Sequence, residues 1–184
     1  MKPEKQLSFS EMRPDVERHR AFIKDNRNPV SLVLDGVTDP RNLGGIFRLA
    51  DAALLQHIYI FRCTDFTVTS KIKRVSRSAT DTVPFTVIKD IQELRKLKKE
   101  HDLIALEYTD RSVPYTEILC KKNPVLIIGN EQTGVSQELL DLCDGSMHIP
   151  MHGLNTSMNV MCATAVGVYG LLNKVGKEEK PAGN

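Results

Sequence analysis

An α/β fold with a mostly parallel sheet flanked by helices is predicted by three features of this 184-residue chain. Short apolar runs such as Val30 to Leu34 and Val125 to Ile128 have the length of buried strands. Between such runs lie segments with apolar residues three apart, as in Ile91, Leu94 and Leu97, which is the spacing of one helix face. The third feature is placement. Two blocks of glycine and polar residues, Asn42-Leu43-Gly44-Gly45-Ile46-Phe47-Arg48 and Gly129-Asn130-Glu131-Gln132-Thr133-Gly134, stand where apolar strands give way to helical patterns. Open α/β sheets build ligand sites at such places.

Taken in order, the first element is a helical stretch reaching about Lys24. Pro14 lies near its start, and Asp15 and Glu17 fall in its first turn, where the helix dipole favours acids. Residues 1–28 are thus expected to form an N-terminal helical extension. Val30 to Leu34 reads as a buried strand, Leu43 to Leu54 as a helix and His57 to Phe61 as the next strand. Phe85 to Ile88 is a short strand. Ile91 to Glu100 is an amphipathic helix whose outer face carries Arg95, Lys96, Lys98 and Lys99. Strands follow at Leu103 to Leu106 and Val125 to Ile128. A short helix at Ser136 to Leu142, a strand at Met147 to Ile149 and a closing helix at Asn159 to Asn173 complete the pattern. Such alternation implies a sheet covered on both faces. Residues 29–174 read as one domain, and residues 175–184, polar and rich in Lys, Glu and Gly, as a flexible tail.

Composition narrows the function classes. With 41% hydrophobic and 26% charged residues the chain suits a globular domain and not a disordered one. No apolar run approaches a bilayer span, and Met1-Lys2-Pro3-Glu4-Lys5 is followed by no apolar signal segment, so a cytoplasmic protein with no membrane partner is expected. Cys63, Cys120, Cys143 and Cys162 are scattered without paired spacing and read as reduced thiols. His148 and His152 straddle Ile149-Pro150 and cannot share a regular helix face, so no metal is expected. There is no G-x-x-x-x-G-K-[ST], and Gly44-Gly45 does not make G-x-G-x-x-G; this argues against a phosphate-binding loop and a dinucleotide fingerprint.

A net charge of +2 is too small to announce a nucleic-acid partner, but its distribution is uneven. Between Asp65 and Asp81 there is no acidic residue, while Lys71, Lys73, Arg74 and Arg77 cluster among Ser70, Ser76, Ser78 and Thr80. Cations and hydroxyls together suit a phosphate backbone, which they hold without reading bases. A solvated helix face is the alternative.

Asn42, Gly44 and Arg48, then Gly129, Asn130, Glu131 and Gly134, then Ile149-Pro150-Met151 with Gly153, Ser157, Asn159 and Val160 follow in order the three motifs of the SpoU/TrmH family. From Val30 to Asn173 the chain resembles a SpoU-type RNA ribose 2′-O-methyltransferase. The resemblance implies an α/β knot, with a C-terminal deep trefoil knot that departs from the general rule against knotted chains. It also implies S-adenosylmethionine as cofactor, transfer RNA or ribosomal RNA as substrate, and a homodimer whose sites draw on both subunits. By motif position, Leu106, Glu107, Gly129, Asn130, Glu131, Ile149, Met151, Gly153 and Met158 would line the cofactor pocket. Asn42, Arg48, Glu131, Ser157 and Asn159 would form the catalytic constellation. Arg41, Arg48, Lys71, Lys73 and Arg74 are the expected RNA contacts.

The implied chemistry makes specific demands. A ribose hydroxyl is a poor nucleophile until its proton leaves, and the methyl group of a sulfonium must sit in line with the attacking oxygen. Arg48 is open to two roles, as a base in a special environment or as a lasting cation that clamps a phosphate and stabilises the developing alkoxide. Ser157 and Asn159 either cap the last helix or orient the arginine and cofactor. Glu131 is either an acid at a helix entrance or, by the resemblance, a partner for polar groups around Asn42. His152 is a candidate base because imidazole as a side-chain type suits proton transfer near neutral pH, yet the family motif tolerates variation there. Two positions depart from the family pattern. Arg41 replaces the histidine of some transfer-RNA-modifying members, and Met161 stands where a small serine is common, so its bulk is expected to reshape the wall beneath the cofactor. Two other readings exist. A non-catalytic RNA-binding knot protein would be expected to lose Arg48 or Asn159. A knotted enzyme that methylates a base nitrogen would generally lack Asn42-x-Gly44-x-x-x-Arg48.

Overall fold

The computed structural model describes residues 4–12, 15–63 and 65–175. Two helices come first, α1 (Phe9–Met12) and α2 (Val16–Asp25). The Asp15 carboxylate accepts from the Arg18 amide at 2.8 Å and starts α2, as an acid at a helix entrance should. Pro14 lies outside the described residues, as do residues 176–184 of the expected tail.

The sheet then builds from β1 (Asn28–Asp35), α3 (Pro40–Ala52), β2 (Leu55–Phe61), α4 (Ser70–Ser76), β3 (Phe85–Ile88) and α5 (Ile91–Leu97). It continues with β4 (His101–Leu106), β5 (Val113–Pro114), β6 (Asn123–Ile128), α6 (Gln137–Leu140), β7 (Gly145–His148) and α7 (Val160–Val175). A short 3-10 turn, Ala79–Asp81, links α4 to β3. Seven strands lie in the order β3-β2-β1-β6-β4-β7-β5, and all the paired strands run parallel. The expected mostly parallel sheet is therefore present.

Boundaries differ from the sequence-based expectation for identifiable reasons. The helix expected from Leu43 begins at Pro40 because Asp39 caps it, accepting from the Arg41 amide at 2.6 Å, and proline suits the first helical position. It stops at Ala52, and Leu54 then takes a left-handed φ of 51°. The strand at Val113–Pro114 is too short to show any periodicity. The basic segment folds as α4, capped by Thr69, with Ile72 and Ser76 buried and Lys71, Lys73 and Arg74 exposed.

Side chains alternate between the two faces of the sheet, as pleating demands. Val30, Leu32 and Leu34 of β1 join Ile46, Phe47, Ile72, Val168 and Leu171 beneath α3, α4 and α7. Val33 points the other way, to Val125, Ile127, Leu94 and Leu139 beneath α5 and α6. Helix α4 sits tightly on α3, since a Cβ at Gly44 would lie 2.6 Å from that of Val75. The cationic face of α4 is thereby fixed to the helix that carries Asn42 and Arg48. Chain order reverses around β1 and β6, so the segments leaving β1, β6, β4 and β7 all emerge at the carboxyl edge of the sheet, where a crevice for ligand forms.

Candidate active site

At that carboxyl edge lies a cavity of about 590 Å³, within the range of small-molecule sites. Its lining comes from the ends of β4 and β6, the loop that follows β6, and the segment from His148 to Ala163. Leu106, Glu107, Gly129, Asn130, Glu131, Ile149, Met151, Ser157, Met158 and Asn159 all contribute.

The loop after β6 is shaped by its own residues. Asn130 and Gly134 exchange two backbone hydrogen bonds, 3.1 and 2.9 Å, and Gly134 has a φ of +68° that favours glycine. A Cβ at Gly129 would overlap the backbone of Gly134 and Val135, so only glycine fits there. The Asn130 side chain is engaged within the fold. Its Nδ2 donates to the Gly36 carbonyl at 2.8 Å, and its Oδ1 accepts from the Gln132 amide at 2.9 Å. Glu107 holds the far end, accepting from Val135 at 3.0 Å through Oε2 and from Tyr108 at 3.0 Å through Oε1. Asp35, buried at the end of β1, accepts from the Ser136 amide at 2.7 Å. The buried carboxylate of β1 thus anchors the loop that carries Glu131.

Glu131, Asn42 and Asn159 form one connected chain of hydrogen bonds. Asn42 Nδ2 donates to Glu131 Oε1 at 2.7 Å, and Asn159 Nδ2 donates to Asn42 Oδ1 at 3.0 Å. Asn159 Oδ1 in turn accepts from the amides of Met161 at 3.0 Å and Cys162 at 3.3 Å. Asn159 therefore both caps α7 and reaches α3, so its two sequence readings are not exclusive. Glu131 is no isolated surface acid. Ser157 is exposed and lines the cavity.

Other expected residues fall elsewhere. Arg48 is exposed on α3, outside the cavity lining, and among the described residues its guanidinium has no hydrogen-bond or ion-pair partner. Residue 48 lies one turn beyond Gly45, whose Cβ position is 2.8 Å from Met161 Cγ, so it follows the side of α3 that meets α7. The expectation for Met161 is corrected by the same approach: its bulk fills the α3–α7 junction opposite Gly45 and does not line the cavity. Gly153 stands outside the lining, with nothing within 4 Å of its Cβ position. Arg41 pairs with Asp39 at 2.9 Å, and this side-chain bond holds the Asp39 carboxyl well below the usual carboxylate range. Lys73 pairs with Asp81 at 3.1 Å, whereas Lys71, Arg74 and Arg77 have no ion-pair partner among the described residues. No cluster of three or more His, Cys, Asp or Glu capable of holding a metal occurs among the described residues, nor is any helix there long and apolar enough to cross a membrane.

Sequence reasoning missed Tyr108 and His148, both in the lining and stacked with ring centroids 4.5 Å apart. The available signal was position, because Tyr108 directly follows Leu106-Glu107 at a strand end and His148 precedes Ile149.

Comparison with known proteins yields three kinds of likeness. The SpoU rRNA Methylase family model matches residues 29–169. A 23S rRNA (guanosine-2'-O-)-methyltransferase RlmB from Blochmanniella floridana is 32% identical over 159 residues, covering 84% of this chain and 61% of that protein. The chain thus spans about three fifths of the length of that relative. Among solved structures, the A. aeolicus TrmH/SpoU tRNA modifying enzyme superposes with a TM-score of 0.77 at 23% identity, covering 88% of this chain and 85% of the other, a likeness of fold. An AdoMet-bound rRNA methyltransferase from Sinorhizobium meliloti has a TM-score of 0.72 at 27% identity, with 80% of this chain and 58% of that one covered.

Proposed function

The chain belongs to the SpoU rRNA methylase family, and on that footing we propose that it transfers a methyl group from S-adenosylmethionine to a ribose 2′-hydroxyl of RNA, ribosomal or transfer. The observation that carries this reading is the Glu131–Asn42–Asn159 chain at the mouth of a cavity lined by the end of β4, the loop after β6 and the segment leading into α7. Residues 29–174 act as the methyltransferase domain.

The cavity suits the cofactor in size and in chemistry. Leu106, Ile149, Met151 and Met158 give apolar walls for a flat ring, and Gly129 and Gly134 let the loop between them fold tightly, since a side chain at either would collide with the Gly134–Val135 backbone or with the Glu107 carboxylate. When bound, the cofactor supplies an electrophilic methyl group on a sulfonium. The chain's own residues do the rest. Asn42 and Asn159 lock the carboxylate of Glu131 and the start of α7 into one rigid frame, which fixes the distance between the α3 surface and the cavity. Ser157 and Asn159 orient the cofactor's amino-acid end. The Arg48 guanidinium clamps the phosphate beside the target ribose and lowers the cost of the alkoxide formed as the hydroxyl proton passes to a phosphate oxygen of the substrate or to water.

The protein works as a homodimer in the cytoplasm. Support comes from α7 and the loop before it, where Leu154, Met158, Cys162 and Tyr169 are exposed apolar or weakly polar residues that a second copy would cover. Arg48 lies outside the cavity of its own chain, which fits a site completed across two subunits. The trefoil knot belongs to the same reading and is supported by the insertion of β6 between the earlier strands β1 and β4. Lys71, Arg74 and Arg48 hold the RNA backbone, with Arg41 and Lys73 contributing through pairs already formed with Asp39 and Asp81.

The test is direct methyl transfer. Purified protein, methyl-labelled S-adenosylmethionine and unmodified ribosomal or transfer RNA should yield label in a 2′-O-methylnucleoside after digestion. Label in a base, or none in any RNA despite cofactor binding, would overturn the proposal.

A further inference from the structure

The segment from Pro150 to Met158 carries several lining residues yet has almost no backbone hydrogen bonds of its own. Among the described residues, Met151 is the one position in it whose backbone makes a hydrogen bond, and the partner is the Tyr108 hydroxyl at 3.3 Å. That same hydroxyl donates to the Ile149 carbonyl at 2.9 Å. One phenol therefore uses its single proton and a lone pair to bind the root of the segment on both sides of Pro150. At the other end the segment is fastened by Asn159, which caps α7. The intervening residues from His152 to Met158 are all exposed.

The Tyr108 ring is itself set in place. It stacks on His148 at 4.5 Å and 23°, and His148 Nδ1 is 2.9 Å from the Ser112 hydroxyl. Glu107, the preceding residue, holds the other cavity loop through Val135. Two consecutive residues at the end of β4 thus fix the two loops between which the cavity opens.

We infer that Tyr108 is a positioning residue: its hydroxyl staples the segment 149–151 to β4 and so sets the cavity in its cofactor-binding shape. This rests on the proposed cofactor reading, because the cavity it shapes is the one assigned to S-adenosylmethionine. With the staple in place, a ligand entering the cavity meets walls already at their final separation and pays little ordering entropy. Without the hydroxyl the ring can still stack on His148, but the segment is tethered at Asn159 alone.

Tyr108→Phe isolates the hydroxyl, and amide hydrogen exchange on the ligand-free protein reads its effect without any cofactor. Faster exchange is expected at Met151, the amide whose partner is the Tyr108 hydroxyl, with β1 and β6 unchanged. In calorimetric titration with S-adenosylmethionine the variant should bind about tenfold more weakly, as the loss of two ordinary hydrogen bonds predicts. Turnover at saturating cofactor should change less than about twofold, a split between KM and kcat that general destabilisation does not produce. Wild-type exchange in the variant, or faster exchange spread through the sheet, would overturn the staple. If neither protein binds S-adenosylmethionine, the cofactor reading falls, and the exchange comparison still decides the role of Tyr108.

Discussion

Asn159 Nδ2 donates to Asn42 Oδ1 at 3.0 Å across 117 residues of sequence, tying the start of the last helix to the first turn of the helix after β1. Since Asn42 also donates to Glu131, truncating it removes the centre of the chain and leaves Glu131 Oε1 and Asn159 Nδ2 without a protein partner. Asn42→Ala should cut turnover by at least about tenfold, in keeping with the cost of a misplaced active-site frame. Steady-state kinetics beside a thermal melt would check it. A variant equally active would remove the network from the mechanism.

Asn159→Ala removes the same link and also the α7 cap. Loss of the cap alone is worth about 1 kcal/mol. The variant should therefore melt earlier than Asn42→Ala as well as turning over slowly, and denaturant titration of the two side by side would reveal the difference.

Arg48→Ala should abolish methyl transfer while leaving affinity for S-adenosylmethionine nearly unchanged, because the side chain is outside the cavity of its own chain. Arg48→Lys should restore little, since an ammonium lacks the planar fork that grips two phosphate oxygens. Isothermal titration separates binding from turnover here.

The two glycines expected in the cofactor pocket should respond oppositely to alanine. At Gly129 a methyl group overlaps the Gly134 and Val135 backbone, so Gly129→Ala should displace the loop and abolish cofactor binding. At Gly153 nothing lies within 4 Å, and Gly153→Ala should bind within about twofold of the parent, since this glycine shapes no wall. Cofactor titration of both variants is the check.

On the cationic face, Lys71 and Arg74 have no ion-pair partner among the described residues, while Lys73 is bound to Asp81. Replacing Lys71 and Arg74 together should weaken RNA binding and reduce the slope of log affinity against log salt by about 1 for each phosphate no longer neutralised. Lys73→Ala should do less. Filter binding at several salt concentrations distinguishes the three positions, and equal slopes throughout would make α4 ordinary surface.

Thiol reactivity should rank the cysteines by burial. Burial, with the nearby Asp144 charge, pushes the Cys143 thiol up to about 12, so it remains neutral and unreactive at pH 8. Cys162 is exposed at the start of α7. A thiol reagent should label Cys162 first and Cys143 only on unfolding, and a dimer covering α7 should slow the first reaction.

Much of the fold is legible in the sequence because strands and helices differ in hydrophobic period. The run Phe85 to Ile88 coincides with β3, and Ile91, Leu94 and Leu97 mark α5, although the end at Lys98 to Glu100 turns away sooner than the pattern suggests. The site is legible in its loops, where Gly129, Asn130 and Gly134 announce a tight turn by residue type. What no periodicity encodes is the meeting of distant loops. The Tyr108 hydroxyl reaches a carbonyl 41 residues away, and nothing in the local sequence around Tyr108 signals it. The bulk of Met161 is likewise visible, but its destination opposite Gly45 depends on how α3 and α7 cross. Lys73 and Arg74 are adjacent and alike in charge, yet a partner at the end of the following turn occupies only the first.

The central claim, ribose methylation of RNA, is tested most directly by nucleoside mass spectrometry of ribosomal and transfer RNA from cells with and without this protein. One 2′-O-methylnucleoside should disappear from a single site and return with the wild-type chain but not with Arg48→Ala. An unchanged set of ribose methyl marks, or the loss of a base methylation instead, would contradict that claim.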